Sequence, residues 1–237
     1  SAVITEEVLA RTYAGRQTPY GWLARAVSSR AHRVLDVGCG TGPMSRELAA
    51  SGRMVVGLDI WRPALLKAAT MSPGPWVQAD ATRLPFADES LDAVTTAMGM
   101  AVISPVPEFL AEVARVLKPG GVFASITITA RPLRRTDLAV LARLTQLLRA
   151  SPRLPSSLEL IATRMLDAAG LTRAEDRRER YAYQVLGPAE AQRVIETYYP
   201  ASVDPERLPA AIDYLTGRNT GRPVTVPIPI RRIVAIK

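Results

Sequence analysis

The chain has 237 residues, enough for one complete α/β core with a cap and too few for a string of domains. A composition of 48% hydrophobic and 22% charged residues excludes a disordered chain, the absence of a long apolar run excludes a membrane-spanning helix, and the single cysteine, Cys39, excludes an internal disulfide. The net charge of +8 is unevenly spread, with 12 Lys/Arg against 11 Asp/Glu in residues 1–130 and 18 against 11 in residues 131–237. Glu6 and Glu7, with no apolar stretch beside them, argue against a secretory signal, so a reducing cytoplasm is the expected setting.

Residues 5–28 predict one or two amphipathic helices broken near Pro19. They carry Tyr13, Tyr20 and Trp22, which serve either as packing residues or as a flap over a ligand. Val34, Leu35 and Val37 predict a buried strand that runs into Gly38-Cys39-Gly40-Thr41-Gly42, and residues 43–50 then open a helix on Pro43. A strand, a glycine turn and a helix N-terminus leave N–H groups pointing at a ligand, and glycine lets that ligand lie on bare backbone.

Residues 54–58 form an apolar run ending in Asp59, a second parallel strand with an acid at its carboxyl edge. Asp59 lies near the ~20-residue spacing at which such an acid meets ribose hydroxyls, and it can equally cap the helix near Pro63. Residues 76–79 predict a third strand before Asp80-Ala81, and residues 91–96 a fourth. Leu110, Val113, Val116 and Leu117 mark a helix over 108–117, which Lys118-Pro119-Gly120-Gly121 stops with a cation at its dipole followed by breakers. Residues 122–128 are a fifth strand. The β-α-β alternation requires right-handed crossovers and a mostly parallel sheet covered on both faces.

The second half predicts a Leu-rich helix over 136–150 with Thr136 as N-cap, apolar at Leu138, Leu141, Leu144, Leu147 and Leu148 and ended by Pro152 and Pro155. A helix over 158–168 closes at Gly170, a sixth strand lies within 172–185, and 187–219 is helical with breaks. Residues 224–236 form the last strand, whose start Pro227 and Pro229 confine to an edge or irregular segment. Arg131, Arg134, Arg135, Arg143, Arg149 and Arg153 face only Asp137 nearby. Read functionally they attract an anion; read structurally they are a solvated helix face, which the lack of interleaved aromatics favours.

The segments Val34–Gly42, Gly57-Leu58-Asp59, Asp80-Ala81, Leu84-Pro85-Phe86 and Val116–Gly121 resemble, in content and order, the class I S-adenosylmethionine-dependent methyltransferases. The resemblance spans residues 8–128 and is nearest to the ubiquinone and menaquinone methyltransferase branch. A dehydrogenase would need G-x-G-x-x-G, and the third glycine would fall at Pro43. The resemblance implies a Rossmann-like, doubly wound, mostly parallel seven-stranded sheet with an antiparallel last strand. The whole chain would be one domain, with residues 1–30 as an N-terminal helical flap, 31–130 as cofactor core, and 131–160 with 187–219 as substrate cap.

By the same resemblance Asp36, Gly38, Cys39, Gly40 and Gly42 lie at the methionine part of S-adenosylmethionine, Asp59 takes the ribose hydroxyls, and Ile60 and Trp61 flank the adenine. Asp80 accepts from the adenine amine with Ala81 beside it, Ala97 and Met98 line the wall near the sulfonium, and Tyr13 and Arg16 sit over the cofactor carboxylate. Tyr13, Tyr20, Trp22, Met98 and Met100 are the candidate substrate-facing residues, and no metal is implied. The reaction expected is in-line attack of a substrate O, N or C on the sulfonium methyl, releasing S-adenosylhomocysteine, with orientation as the protein's main work.

No catalytic base is identified. His32, the only histidine, precedes the first strand, at the wrong end of the sheet, and Gly99-Met100-Ala101-Val102 offers no titratable group, which leaves an amine acceptor, an already acidic hydroxyl, or a base from the cap such as Glu159 or Tyr181. The expected partner is a small organic substrate. An RNA or tRNA methyltransferase is the alternative, favoured by the basic half but lacking N-P-P-Y or D-P-P-Y after the fourth strand, and a non-catalytic cofactor-binding protein is the third.

Overall fold

A computed structural model of the chain describes residues 2–152, 164–199, 201–218 and 221–237, with the side chains of the first few left aside. Its strands are β1 (Thr12–Tyr13), β2 (Arg33–Val37), β3 (Met54–Asp59), β4 (Trp76–Gln78), β5 (Leu91–Ala97), β6 (Leu117–Ile128), β7 (Thr172–Gln184) and β8 (Thr225–Ile236). The helices are α1 (Ala2–Ala10), α2 (Pro19–Ala24), α3 (Pro43–Ala49), α4 (Arg62–Met71), α5 (Val106–Val116), α6 (Arg135–Leu148), helical residues 164–168 (α7), α8 (Pro188–Tyr198) and α9 (Leu208–Thr216).

One mixed sheet runs in the order β1-β7-β8-β6-β5-β2-β3-β4. The pairs β2–β3, β2–β5, β3–β4 and β5–β6 are parallel, as the βα alternation requires. The seven expected strands are joined by an eighth. Residues 12 and 13, expected in a helix, pair antiparallel with β7 at Tyr183 and Ala182, so the N-terminal segment is helix, short edge strand and helix rather than helix alone.

The chain divides into two compact units, the first of Ser1–Thr18, Ile128–Ser156 and Arg178–Ile230, the second of Pro19–Thr127, Ser157–Arg177 and Arg231–Lys237. In the second unit, β2 is buried from Val34 to Val37, apolar except at Asp36, as expected of a strand covered on both faces. Against the sheet lies α5, whose Phe109, Leu110, Val113 and Val116 recur at helical spacing and are fully buried. Phe109 meets Phe123 of β6 edge to face, ring centres 6.0 Å apart. Leu166 and Leu171 belong to the same core, and Gly170, in the left-handed region as expected, lets the Leu171 N–H return to the Leu166 carbonyl.

Three local expectations change. Lys118-Pro119-Gly120-Gly121 does not cap a helix: α5 stops at Val116 and the tetrapeptide bulges within β6, where Leu117 pairs with Leu91 but Val122 already with Ala93. Lys118 instead donates to Asp92 Oδ1 at 2.5 Å. Thr136 is not the N-cap of α6, which starts one residue earlier. Asp137 at the third helical position accepts the Arg134 N–H at 2.8 Å, and α6 ends at Leu148 with Arg149 left-handed, before Pro152. Pro227 and Pro229 lie inside the continuous strand β8, itself between β7 and β6. The Thr129 N–H donates to the Pro229 carbonyl one residue past the end of β6, so these prolines fall where the β6 ladder has run out and a missing N–H costs nothing.

In the first unit α1 packs on α8, α8 on α9 and α9 on α6. Asp137, 2% exposed, receives both the Nε and Nη2 of Arg180 on β7, at 2.6 and 2.5 Å. Leu144 and Leu148 are the buried end of the α6 stripe, whereas Leu138 is 55% exposed. The upstream part of the expected 158–168 helix and Glu159 lie outside the described residues.

Candidate functional site: the glycine turn at the sheet's switch point

From β2 the sheet is built outward in two directions, through β3 to β4 and through β5 to β6. The carboxyl ends of β2 and β5 therefore flank the switch point, where open α/β sheets bind ligands. At the end of β2 the chain enters Gly38, Gly40 and Gly42, all left-handed with φ of 65°, 55° and 81°. That alternation turns successive N–H groups to one side, a conformation L side chains resist.

Bonds from all sides hold the turn. The Cys39 N–H donates to the Leu58 carbonyl at 3.0 Å and the Gly42 N–H to the Cys39 carbonyl at 2.9 Å. Asp36, fully buried beneath the turn, accepts from Ser45 Oγ at 2.6 Å and Thr95 Oγ1 at 3.2 Å, which ties β2 to α3 and β5. Asp59, at the end of β3, accepts the Gly40 N–H on Oδ2 and the Trp61 N–H on Oδ1, each at 2.8 Å. A carboxylate has roughly four acceptor positions, so Asp59 keeps capacity for two further donors. Beside it Ile60 and Trp61 are 67% and 51% exposed, unusual for large apolar side chains and suited to a flat apolar ligand.

At the end of β4, Asp80 accepts the Thr82 N–H and hydroxyl, both at 2.8 Å. The Thr82 backbone bond first, then its hydroxyl, hold the Asp80 carboxyl below the usual carboxylate range. Ala81 beside it is buried. Past β5, Ala97 is half-buried and Met98 adopts φ 68°, strain of the kind that persists where surroundings over-determine it. Gly99 and Met100 follow, buried, and a methyl on Gly38 would lie 3.7 Å from the Gly99 Cα, so the turns after β2 and β5 adjoin. Between them the buried Thr96 Oγ1 has no hydrogen-bond partner among the described residues.

Other predicted residues lie elsewhere. Tyr20 and Trp22 are buried in α2, and the face of Trp22 is covered by the Arg232 guanidinium, 4.5 Å from the ring centre. Tyr13 is 47% exposed on β1 and Arg16 exposed in the following turn, both in the first unit. Tyr181 is fully buried and Gln17 Nε2 donates to its hydroxyl at 2.7 Å. His32 stands exposed at the start of β2.

Trp76 is a residue the sequence reading passes over. Its indole is wedged against the turn: a methyl on Gly42 would meet Cη2 at 2.5 Å, and one on Gly57 would meet the same ring. The available signal was three glycines, at 42, 57 and 74, whose side-chain space one large aromatic fills. Among the described residues, no three His, Cys, Asp or Glu side chains cluster as metal ligands, and no helix is long and apolar enough to cross a membrane.

Residues 35–125 match the methyltransferase domain family model. Demethylmenaquinone methyltransferase from Mycobacterium sp. (strain KMS) is 47% identical over 89 residues, which make up 38% of this chain and 38% of that protein. The chain thus matches well under half the length of such curated relatives. Among solved structures, the YcgJ protein of Bacillus subtilis superposes with TM-score 0.62 at 22% identity, covering 92% of this chain and 97% of that one. Geranyl diphosphate C-methyltransferase from Streptomyces coelicolor A3(2), solved with Mg2+, geranyl diphosphate and S-adenosyl-L-homocysteine, gives 0.55 at 13%, covering 92% and 76%. The motif match and the fold concern the same part of the chain: residues 35–125 match the methyltransferase domain model and lie in a sheet whose fold is shared with these solved structures.

Proposed function

We propose that the protein transfers a methyl group from S-adenosylmethionine to an O, N or C atom of a small organic acceptor, in a reducing cytoplasmic setting. The observation that carries this reading is the pair of adjoining turns after β2 and β5, with Asp59 bonded across to Gly40 and holding two acceptor positions open. When bound, the cofactor supplies an activated methyl group and its own leaving group.

In this reading the N–H groups of the glycine turn face the methionine part and Asp59 accepts from both ribose hydroxyls. Ile60 and Trp61 cover the adenine, and Asp80 with the Ala81 backbone reads its edge. Ala97 and the strained Met98 wall the reacting end, with Met100 behind. The loop 98–103 contributes no titratable group, so the acceptor brings its own nucleophilicity, as an amine or an acidic hydroxyl, and the protein's work is orientation and exclusion of water.

Calorimetric titration with S-adenosylhomocysteine is expected to give one site per chain. Asp59→Ala should weaken it by about 1.5 to 3 kcal/mol, the loss typical of hydrogen bonds to a charged group. No binding to the intact chain would end the methyltransferase reading, and unchanged affinity in the variant would place the ribose elsewhere.

The basic second half favours one other reading, an RNA methyltransferase. Tight, steeply salt-dependent retention of tRNA would support it over a small acceptor.

A further inference from the structure

Near its carboxyl end β5 carries two adjacent threonines, and their hydroxyls meet different fates. Successive residues of a strand face opposite sides of the sheet, and on one side Thr95 Oγ1 donates to Asp36 Oδ1 at 3.2 Å. Thr96 is equally buried, but its Oγ1 is sealed from water with no hydrogen-bond partner among the described residues. An unpaired buried hydroxyl costs stability, and a valine of the same shape would avoid that cost. Gly99 lies directly over this hydroxyl. It is not left-handed, so its own backbone does not call for glycine, yet a methyl there would overlap Thr96 Oγ1. The turn after β2 reaches the same place: a methyl on Gly38 would lie 3.7 Å from the Gly99 Cα and 3.9 Å from Thr96 Oγ1. The bare face of Gly38 thus leaves room for one more atom, with the unpaired hydroxyl as a polar neighbour.

We propose that Thr96 binds the amino-acid end of the methyl donor, its hydroxyl meeting the charged group that lies against Gly38. The inference rests on the methyltransferase reading, in which the methionine part of S-adenosylmethionine lies along the glycine turn. That part carries a carboxylate and an ammonium group. A hydroxyl donates to the first or accepts from the second, and a hydrogen bond to a charged group is strong enough to offset the burial of the hydroxyl. Asp36 on the opposite side is already engaged by Ser45 and Thr95. Because Gly99 covers Oγ1, the turn of residues 98–101 shifts as the ligand enters, and Met98, held at φ 68°, is where such a shift relieves strain.

The full chain and the variants Thr96→Val and Thr96→Ser are titrated calorimetrically with S-adenosylhomocysteine and with 5′-methylthioadenosine, which keeps the adenine, ribose and thioether but has no amino-acid end. Thr96→Val should weaken S-adenosylhomocysteine about tenfold or more, the loss expected of a hydrogen bond to a charged group. Its affinity for 5′-methylthioadenosine should stay within about twofold of the intact chain's, since no hydrogen bond to that ligand is lost. Thr96→Ser, which keeps the hydroxyl, should stay within about threefold for both. The urea unfolding midpoint of unligated Thr96→Val should equal or exceed that of the intact chain, because an unpaired buried hydroxyl has been removed.

Any of four results overturns the proposal: S-adenosylhomocysteine bound as tightly by Thr96→Val as by the intact chain, equal losses for both ligands in that variant, Thr96→Ser losing as much as Thr96→Val, or a lowered unfolding midpoint in Thr96→Val, which would mean that the hydroxyl is bonded inside the protein. Failure of the intact chain to bind S-adenosylhomocysteine would instead remove the methyltransferase reading on which the proposal rests, and no variant is needed to see it.

Discussion

Gly42 is held by two independent constraints, a left-handed backbone at φ 81° and the Trp76 ring in the space a methyl would take. Gly42→Ala should therefore cost roughly 2 to 4 kcal/mol in denaturant unfolding, about 1 to 2 from the backbone and the rest from overpacking. Trp76→Leu in the Gly42→Ala background should restore the overpacking share, and strictly additive losses would show that the wedge is not what limits position 42. At this scale the glycine turn was legible because positive φ is written in the residue type. Trp76 was not, because its neighbours Gly42 and Gly57 come from distant parts of the chain and only folding brings them under one ring. Trp22 shows how such an alternative resolves: the sequence left packing residue and flap both open, and the Arg232 guanidinium over its buried ring puts it with the packing residues.

The central elements were readable from period and punctuation, and the exceptions have a common cause. The strand β8 carries two charged residues side by side, Arg231 and Arg232, only 3% and 7% exposed. Arg232 stacks on Trp22, donates to the Trp22 carbonyl and bonds Glu175, while Arg231 is bidentate to Asp176. Apolar periodicity cannot foresee a buried arginine whose partners lie on another strand, nor a proline pair tolerated because the neighbouring ladder has ended. Arg232→Lys should lose the stack and the fork, destabilising by about 2 to 4 kcal/mol in urea unfolding, because a buried cation is left badly paired with the half-buried Glu175. Arg218→Lys, in an exposed pair with Asp213, should stay within about 0.5 kcal/mol, and equal losses for the two would refute the distinction.

Across the whole molecule, the foot of the sheet is tied by one carboxylate. Asp92, at the start of β5, accepts the N–H groups of His32 and Arg33 at 2.9 and 2.8 Å, and Lys118 at the start of β6 donates to its other oxygen. Burial raises its carboxyl, but Lys118 and the two backbone donors outweigh that and hold it at about 2. Because the folded value lies below the unfolded one, the unfolded chain binds more protons in between. The stabilisation, about 2 kcal/mol, is complete above pH ~4 and lost as pH falls towards 2. Asp92→Asn should flatten the stability profile in that window; an unchanged slope would mean other carboxylates govern acid unfolding. The overall architecture was legible because βα alternation and chain handedness leave few sheets to choose from, whereas the N-terminal edge strand, two residues long, is too short to leave a pattern. The acceptor was least legible, since the cap's residues are set by a substrate the chain does not name. The paired arginines of β8 also bear on how the sheet closes. Val226 to Ile230 and Ile233 to Ala235 are buried on both sides, so greasiness alone would accept a strand shifted by one. Such a shift would carry each arginine to the opposite face, away from its own acid, so the pairs Arg231–Asp176 and Arg232–Glu175 favour the observed register over its neighbours.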